Sequence, residues 1–106
     1  AMLATGLGDG EYMFGGSKVI VKNGIARNED GGLASSTLTL YRAVRNMTEF
    51  TAATFEEAVQ MASINPARFI GIDHITGSIE EGKRADLVIL NGDDTIDCVY
   101  VKGIRA

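Results

Sequence analysis

LASSTLTLYRAVRN, residues 33–46, sets four hydroxyl side chains, Ser35, Ser36, Thr37 and Thr39, just ahead of Leu40 and Val44, with Met47 following. Positions 40, 44 and 47 stand at i, i+4 and i+7, the spacing that lines one helix face, while Arg42, Arg45 and Asn46 fall elsewhere. The pattern predicts an amphipathic helix of about three turns. Ser36 or Thr37 is the expected N-cap, because a short hydroxyl side chain can accept from a backbone N–H that the first turn leaves unpaired. Leu33 to Ser35 is then either a loop presenting backbone and hydroxyl groups to a ligand or simply the approach to a helix.

Toward the C-terminus, Thr54-Phe55-Glu56-Glu57 reads as a capping box opening a second helix that buries Ala58, Val59 and Ala62. Asn65-Pro66 disfavours helix at Asn65, so a bend is expected there, with Pro66 at N1 of a short helix that ends at a left-handed Gly71. Beyond the loop GSIEEG, residues 77–82, the nearly unbroken apolar run Ala85 to Leu90 suits a strand covered on both faces, and Thr95 to Lys102 alternates as a further strand. Toward the N-terminus, GLGDG at 6–10 is a turn rather than a phosphate loop, since no strand precedes it and no helix follows. Asn23-Gly24 between Ser17–Lys22 and Ile25–Arg27 is the strongest short-range hairpin signal, both residues tolerating positive φ. Strands, then two or three helices, then strands imply an α+β class in which the terminal strands share a sheet or sandwich and the helices need a further layer.

A chain of 106 residues suits one small domain or a fragment of a larger one, and 45% hydrophobic with 23% charged residues is an ordinary globular composition. Net charge is -4, and the ten Lys and Arg are scattered from Lys18 to Arg105 without a basic block, so no nucleic-acid or anionic-membrane partner is expected. No apolar run approaches the ~20 residues of a membrane span, and the first ten residues lack the layout of a secretory leader. The single Cys98 excludes an internal disulfide and points to a reducing, cytoplasmic compartment.

Catalytic chemistry is thinly represented. His74 is the only histidine, set in a Gly-Ile-Asp-His-Ile turn and expected to be an exposed loop residue, which leaves no metal-ligand constellation. Cys98, at alternate spacing in a strand, reads as a small core residue. Glu80-Glu81 and Asp93-Asp94 fall in turns and are expected to be solvated. Asp86, just before an apolar run, reads as a residue that fixes a turn through backbone hydrogen bonds. The hydroxyls at 35–39 lack a partnering base, leaving capping and ligand contact as their readings.

Taken together, GLGDGEY, Gly15-Gly16, VKNGIARNEDGGLASSTLTLYRAVRN, FEEAVQMASINPARFIGI and GSIEEGKRADLVIL resemble the C-terminal part of N-acetylglucosamine-6-phosphate deacetylases, members of the amidohydrolase superfamily. The resemblance covers nearly the whole chain, and the 33–46 block is its specific element; the last block also resembles dihydroorotase-like and deaminase relatives. In that family a (β/α)8 barrel carries the metal and catalytic groups beside a small β-sandwich built from both chain ends, and a barrel takes about 250 residues. The resemblance therefore implies a C-terminal fragment spanning 1–106: a β-hairpin region at 1–32, the last two or three barrel helices at 36–72 and terminal sandwich strands at 83–106, with the barrel itself absent.

The implied reaction is metal-dependent hydrolysis of the acetamide of N-acetylglucosamine 6-phosphate to acetate and glucosamine 6-phosphate, in amino-sugar catabolism. The proton-shuttling aspartate of the family would fall immediately before Ala1 and the metal-binding Glu and His residues further upstream. This implies no catalytic residue and no metal ligand in the chain, and a divalent metal, zinc or similar, for the complete enzyme. Leu33, Ala34 and Ser35 match the Leu-x-Gly segment that lines the sugar-phosphate site, with Ser35 standing where the pattern has glycine. Were that position to need positive φ, serine would cost on the order of 1 kcal/mol. Two other readings stay open: a non-enzymatic binding or assembly module, and the tail of another amidohydrolase such as a dihydroorotase-like enzyme. Apolar helix faces at Leu40, Val44, Met47 and Val59 without a covering layer predict a homo-oligomer.

Overall fold

The structure, a computed structural model, describes residues 2–106, which divide into two compact units, one ending at Ala53 and the other running from 54 to 106. The first holds β1 (Gly10–Phe14), β2 (Ser17–Lys22), β3 (Ile25–Asn28), β4 (Leu33–Ser35) and the helix α1 (Leu40–Phe50). The strands form an antiparallel meander in the order β1-β2-β3-β4. Its first two corners are two-residue hairpins, Phe14 facing Ser17 and Lys22 facing Ile25. Asn23 and Gly24 take φ of 52° and 72°, the type I′ geometry that matches strand twist, so the hairpin expected at Asn-Gly is present. Alternation along β2 sends Val19 and Val21 inward, where they pack with Met2, Ala4 and Ala26 beneath Tyr12 and Ala34. Full burial of each valine contributes about 1.5–3 kcal/mol.

Helix α1 begins later than expected. Its N-cap is Thr39, whose hydroxyl accepts from the Arg42 N–H at 3.2 Å. Ser36 and Thr37 cannot serve, because their side chains are engaged in the turn before it. Of the apolar face, Val44 is buried, but Leu40 is 67% exposed.

The second unit holds α2 (Phe55–Ala62), α3 (Ile64–Phe69), β5 (Leu87–Leu90), β6 (Ile96–Val101) and β7 (Ile104–Arg105), the strands forming a second antiparallel sheet in the order β5-β6-β7. The terminal strands thus build two separate sheets rather than one shared sheet. The capping box is present: Glu57 N–H donates to the Thr54 hydroxyl at 3.2 Å and Thr54 N–H to the Glu57 carboxylate at 2.8 Å. Ala58 is buried as expected, whereas Val59 is exposed. The break between helices falls at Ser63 (φ -128°, ψ -84°), not Asn65, and Pro66 is the third residue of α3 rather than the first. Its missing N–H still costs nothing there, since the first four helical N–H groups have no intrahelical partner. Gly71 (φ 75°) closes α3 in a Schellman motif, its N–H donating to Arg68 O and that of Ile72 to Ala67 O.

Gly77 (φ 100°) lets the following loop lie against α3, where a Cβ would come within 3.0 Å of Ala67 Cβ and 3.1 Å of Ile64 Cα. Strand β5 starts at Leu87, two residues after the expected position, and is not covered on both faces: Val88 is 54% and Ile89 42% exposed. The Thr95–Lys102 strand ends at Val101, because Lys102 (φ 53°) and Gly103 (φ 79°) form another two-residue hairpin. Cys98 is half-buried rather than a core residue.

Candidate functional site

Leu33, Ala34 and Ser35 lie in neither a loop nor a strained approach to α1. They form β4, one of the two edge strands of the first sheet, with Arg27 facing Leu33 and Ala26 facing Ser35 across a bulge. Alternation turns Ala34 onto the core and leaves Leu33 74% exposed. Among the described residues, positive φ outside glycine occurs at Asn23, Asp94 and Lys102, so Ser35 carries no left-handed strain. The cost foreseen for serine at this position does not arise, since any L-residue adopts extended backbone.

The four hydroxyls divide their work. Ser36 Oγ accepts from the Leu38 N–H at 3.1 Å, Thr37 Oγ1 donates to Gly24 O, and Thr39 caps α1. The Ser35 hydroxyl is exposed and has no hydrogen-bond partner among the described residues. An open depression of about 380 Å³ is lined by residues of β2, β3 and the turns after them, Ile20, Lys22, Ile25, Arg27 and Glu29 among them, and by no residue of β4. Its charges are mixed, and the Arg27 guanidinium already donates to Gly31 O at 2.8 Å, so it does not by itself select an anionic ligand.

Two aspartates pin the two turns that matter most. Both Asp9 carboxylate oxygens accept from the Asn23–Gly24 turn, at 2.8 Å from Asn23 N–H and 3.2 Å from Gly24 N–H, and these bonds hold the Asp9 carboxyl below the ordinary 3.8. Asp86 accepts from the Lys102 N–H at 2.9 Å and from Arg84 Nε, so its pKa too is lowered, first by the Lys102 bond and then by Arg84. Gly103 N–H donates to Ala85 O at 2.8 Å beside it. The turn-fixing role expected of Asp86 is what the structure has. Asp9 was not singled out by sequence reasoning, because its partners lie 14 and 15 residues away and nothing local marks them.

Lys83 Nζ donates to Ser78 Oγ at 2.6 Å and to Glu80 Oε1 at 3.0 Å, while Ser78 donates to the same Glu80. An amine that spends its N–H groups as donors to both neighbours is not placed to take the serine proton, so this trio reads as a loop brace. His74 is exposed, and among the described residues no three His, Cys, Asp or Glu side chains gather as a metal requires. This donor set does not fit the divalent metal implied by the resemblance, and no step through a metal is assigned to these residues.

An amidohydrolase family model matches residues 21–105. The chain is 45% identical over 103 residues to an N-acetylglucosamine-6-phosphate deacetylase of Vibrio furnissii, covering 97% of this chain and 26% of that protein. It is 44% identical over 103 residues to an N-acetylgalactosamine-6-phosphate deacetylase of Escherichia coli O157:H7, covering 97% and 27%. A solved structure of a point mutant of the Mycobacterium smegmatis N-acetyl-D-glucosamine-6-phosphate deacetylase, in complex with N-acetyl-D-glucosamine-6-phosphate, superposes with TM-score 0.80 at 33% identity, over 99% of this chain and 28% of that one. The chain spans 62% of the length of a curated relative from Escherichia coli (strain K12), and little more than a quarter of the other two.

Proposed function

The chain belongs to the amidohydrolase family, and on that premise we propose that it is the C-terminal segment of an N-acetylglucosamine-6-phosphate deacetylase, cytoplasmic and catalytically incomplete alone. The observation that carries this reading is similarity at 45% identity along 97% of the chain to a deacetylase that is nearly four times longer. In the complete enzyme a divalent metal would be held by ligands outside these residues and would supply Lewis-acid activation of the acetamide and of water. The segment's own part is to bind and orient. Leu33, Ala34 and Ser35 supply backbone and the Ser35 hydroxyl to the sugar phosphate, on an edge strand whose outer side no other strand of the sheet covers. An incomplete body also accounts for large apolar side chains left bare, Phe69 at 91% and Ile79 at 88% exposure among them.

The test is a segment exchange, replacing the matching stretch of the Vibrio furnissii deacetylase with this chain. Metal-dependent acetate release from N-acetylglucosamine 6-phosphate by the chimera, and none by the chain alone, is the expected result. Turnover by the chain alone, or a folded chimera inert toward this substrate, refutes the proposal.

A further inference from the structure

The candidate sugar-phosphate strand is held by something outside itself. Thr37, two residues past Ser35, donates its hydroxyl proton to Gly24 O, so the end of β4 is tied to the Asn23–Gly24 turn. That turn is in turn gripped by both oxygens of Asp9, at 2.8 and 3.2 Å. The loop carrying Asp9 is braced, since Tyr12 Oη donates to Gly8 O at 3.0 Å, and Met2 N–H reaches Ser36 O at 3.4 Å. Three segments distant in sequence, 2–9, 23–24 and 36–37, are therefore joined by hydrogen bonds that converge on the exit of β4. Asn-Gly adopts a type I′ turn unaided. What the carboxylate adds is location: it fixes where the Gly24 carbonyl stands, and with it the hydroxyl that anchors the strand.

We infer that Asp9 is a positioning residue for sugar-phosphate binding at Leu33–Ser35, acting through the Asn23–Gly24 turn and the Thr37 hydroxyl; this deepens the function proposed above and rests on it. An amide cannot replace the carboxylate, because it offers one acceptor atom and sets its own NH2 against the second turn N–H. Loosened contact to a non-reacting part of the substrate weakens binding in ground and transition states alike, which raises KM and spares kcat.

In the segment-exchange chimera, Asp9→Asn and Thr37→Val are each expected to raise KM for N-acetylglucosamine 6-phosphate about tenfold with kcat within about twofold, and Thr37→Ser, which keeps the donor, to stay near the parent. Unchanged KM in an active chimera, or equal loss in Thr37→Ser and Thr37→Val, overturns the inference. A second measurement needs no activity and so separates this idea from the functional reading. Amide hydrogen exchange on the 106-residue chain is expected to quicken in Asp9→Asn both at Asn23–Gly24 and along β4. Quickening confined to the turn, with β4 unaltered, shows that no link runs from Asp9 to the strand and overturns the inference whatever the chimera does.

Discussion

Asp9 and Asp86 perform the same service in the two units: the exposed Asp9 accepts from two backbone N–H groups, and the half-buried Asp86 from one, of a left-handed turn some fourteen to sixteen residues further on. Both pKa values are depressed in the folded chain, so the stabilisation is fully present above the ordinary aspartate value of 3.8 and is lost as pH falls below it, through the lower folded values. Acid titration of the thermal midpoint should show a loss that begins near that pH, with a shallower slope in Asp86→Asn. Lys102 is the residue at which local preference and structure disagree most. It sits at φ 53° as the first central residue of a type I′ turn, a place that favours asparagine. Lys102→Asn keeps the N–H that Asp86 accepts and is expected to stabilise the chain by about 0.5 kcal/mol, readable as a raised midpoint in thermal unfolding. The Lys102–Gly103 turn was not legible in the sequence for the same reason: lysine at positive φ is imposed by Asp86, Ala85 and strand pairing, not announced by composition.

At the scale of elements, legibility followed locality. The Asn23-Gly24 hairpin and the Thr54–Glu57 capping box were readable because every partner lies within a few residues. The start of α1 was not, because of the two hydroxyls expected to cap it Ser36 accepts from the Leu38 N–H and Thr37 is taken by a carbonyl 13 residues earlier. Strand β4 was hidden too: three residues with a bulge leave no alternation to count, so Leu33–Ser35 read as a loop or a helix approach, and the condition under which serine would be strained, positive φ, is not met by its extended backbone. The Gly77 loop illustrates the opposite case, a single residue on which the packing of α3 depends. Gly77→Ala would force a side chain against Ala67 and Ile64 at positive φ, and is expected to cost about 2 kcal/mol or more in chemical denaturation.

For the whole molecule, the sequence predicted helix faces at Leu40, Val44, Met47 and Val59 without a covering layer. Of those faces Leu40 and Val59 are exposed, Met47 is half-buried and Val44 is buried, while Phe50, Phe69, Ile70 and Ile79, which the sequence did not single out, are largely exposed. The family-level reading rested on motifs spread along the chain, whereas the ligand-facing role of β4 comes by resemblance and awaits the segment exchange. Bare apolar side chains of this size favour association, so sedimentation across a wide concentration range is expected to show the isolated chain forming oligomers; a monomer throughout would argue against that expectation. One further consequence concerns chemical ageing. Asn-Gly pairs are the ones most given to deamidation, in which the glycine nitrogen attacks the asparagine carboxamide and closes a succinimide ring. Here the Gly24 nitrogen points its hydrogen at a carboxylate and belongs to a turn clamped at both residues, which keeps it from swinging toward its neighbour. Storage of the Asp9→Asn chain should therefore yield isoaspartate at position 23 faster than storage of the parent, a difference that peptide mass mapping would read directly.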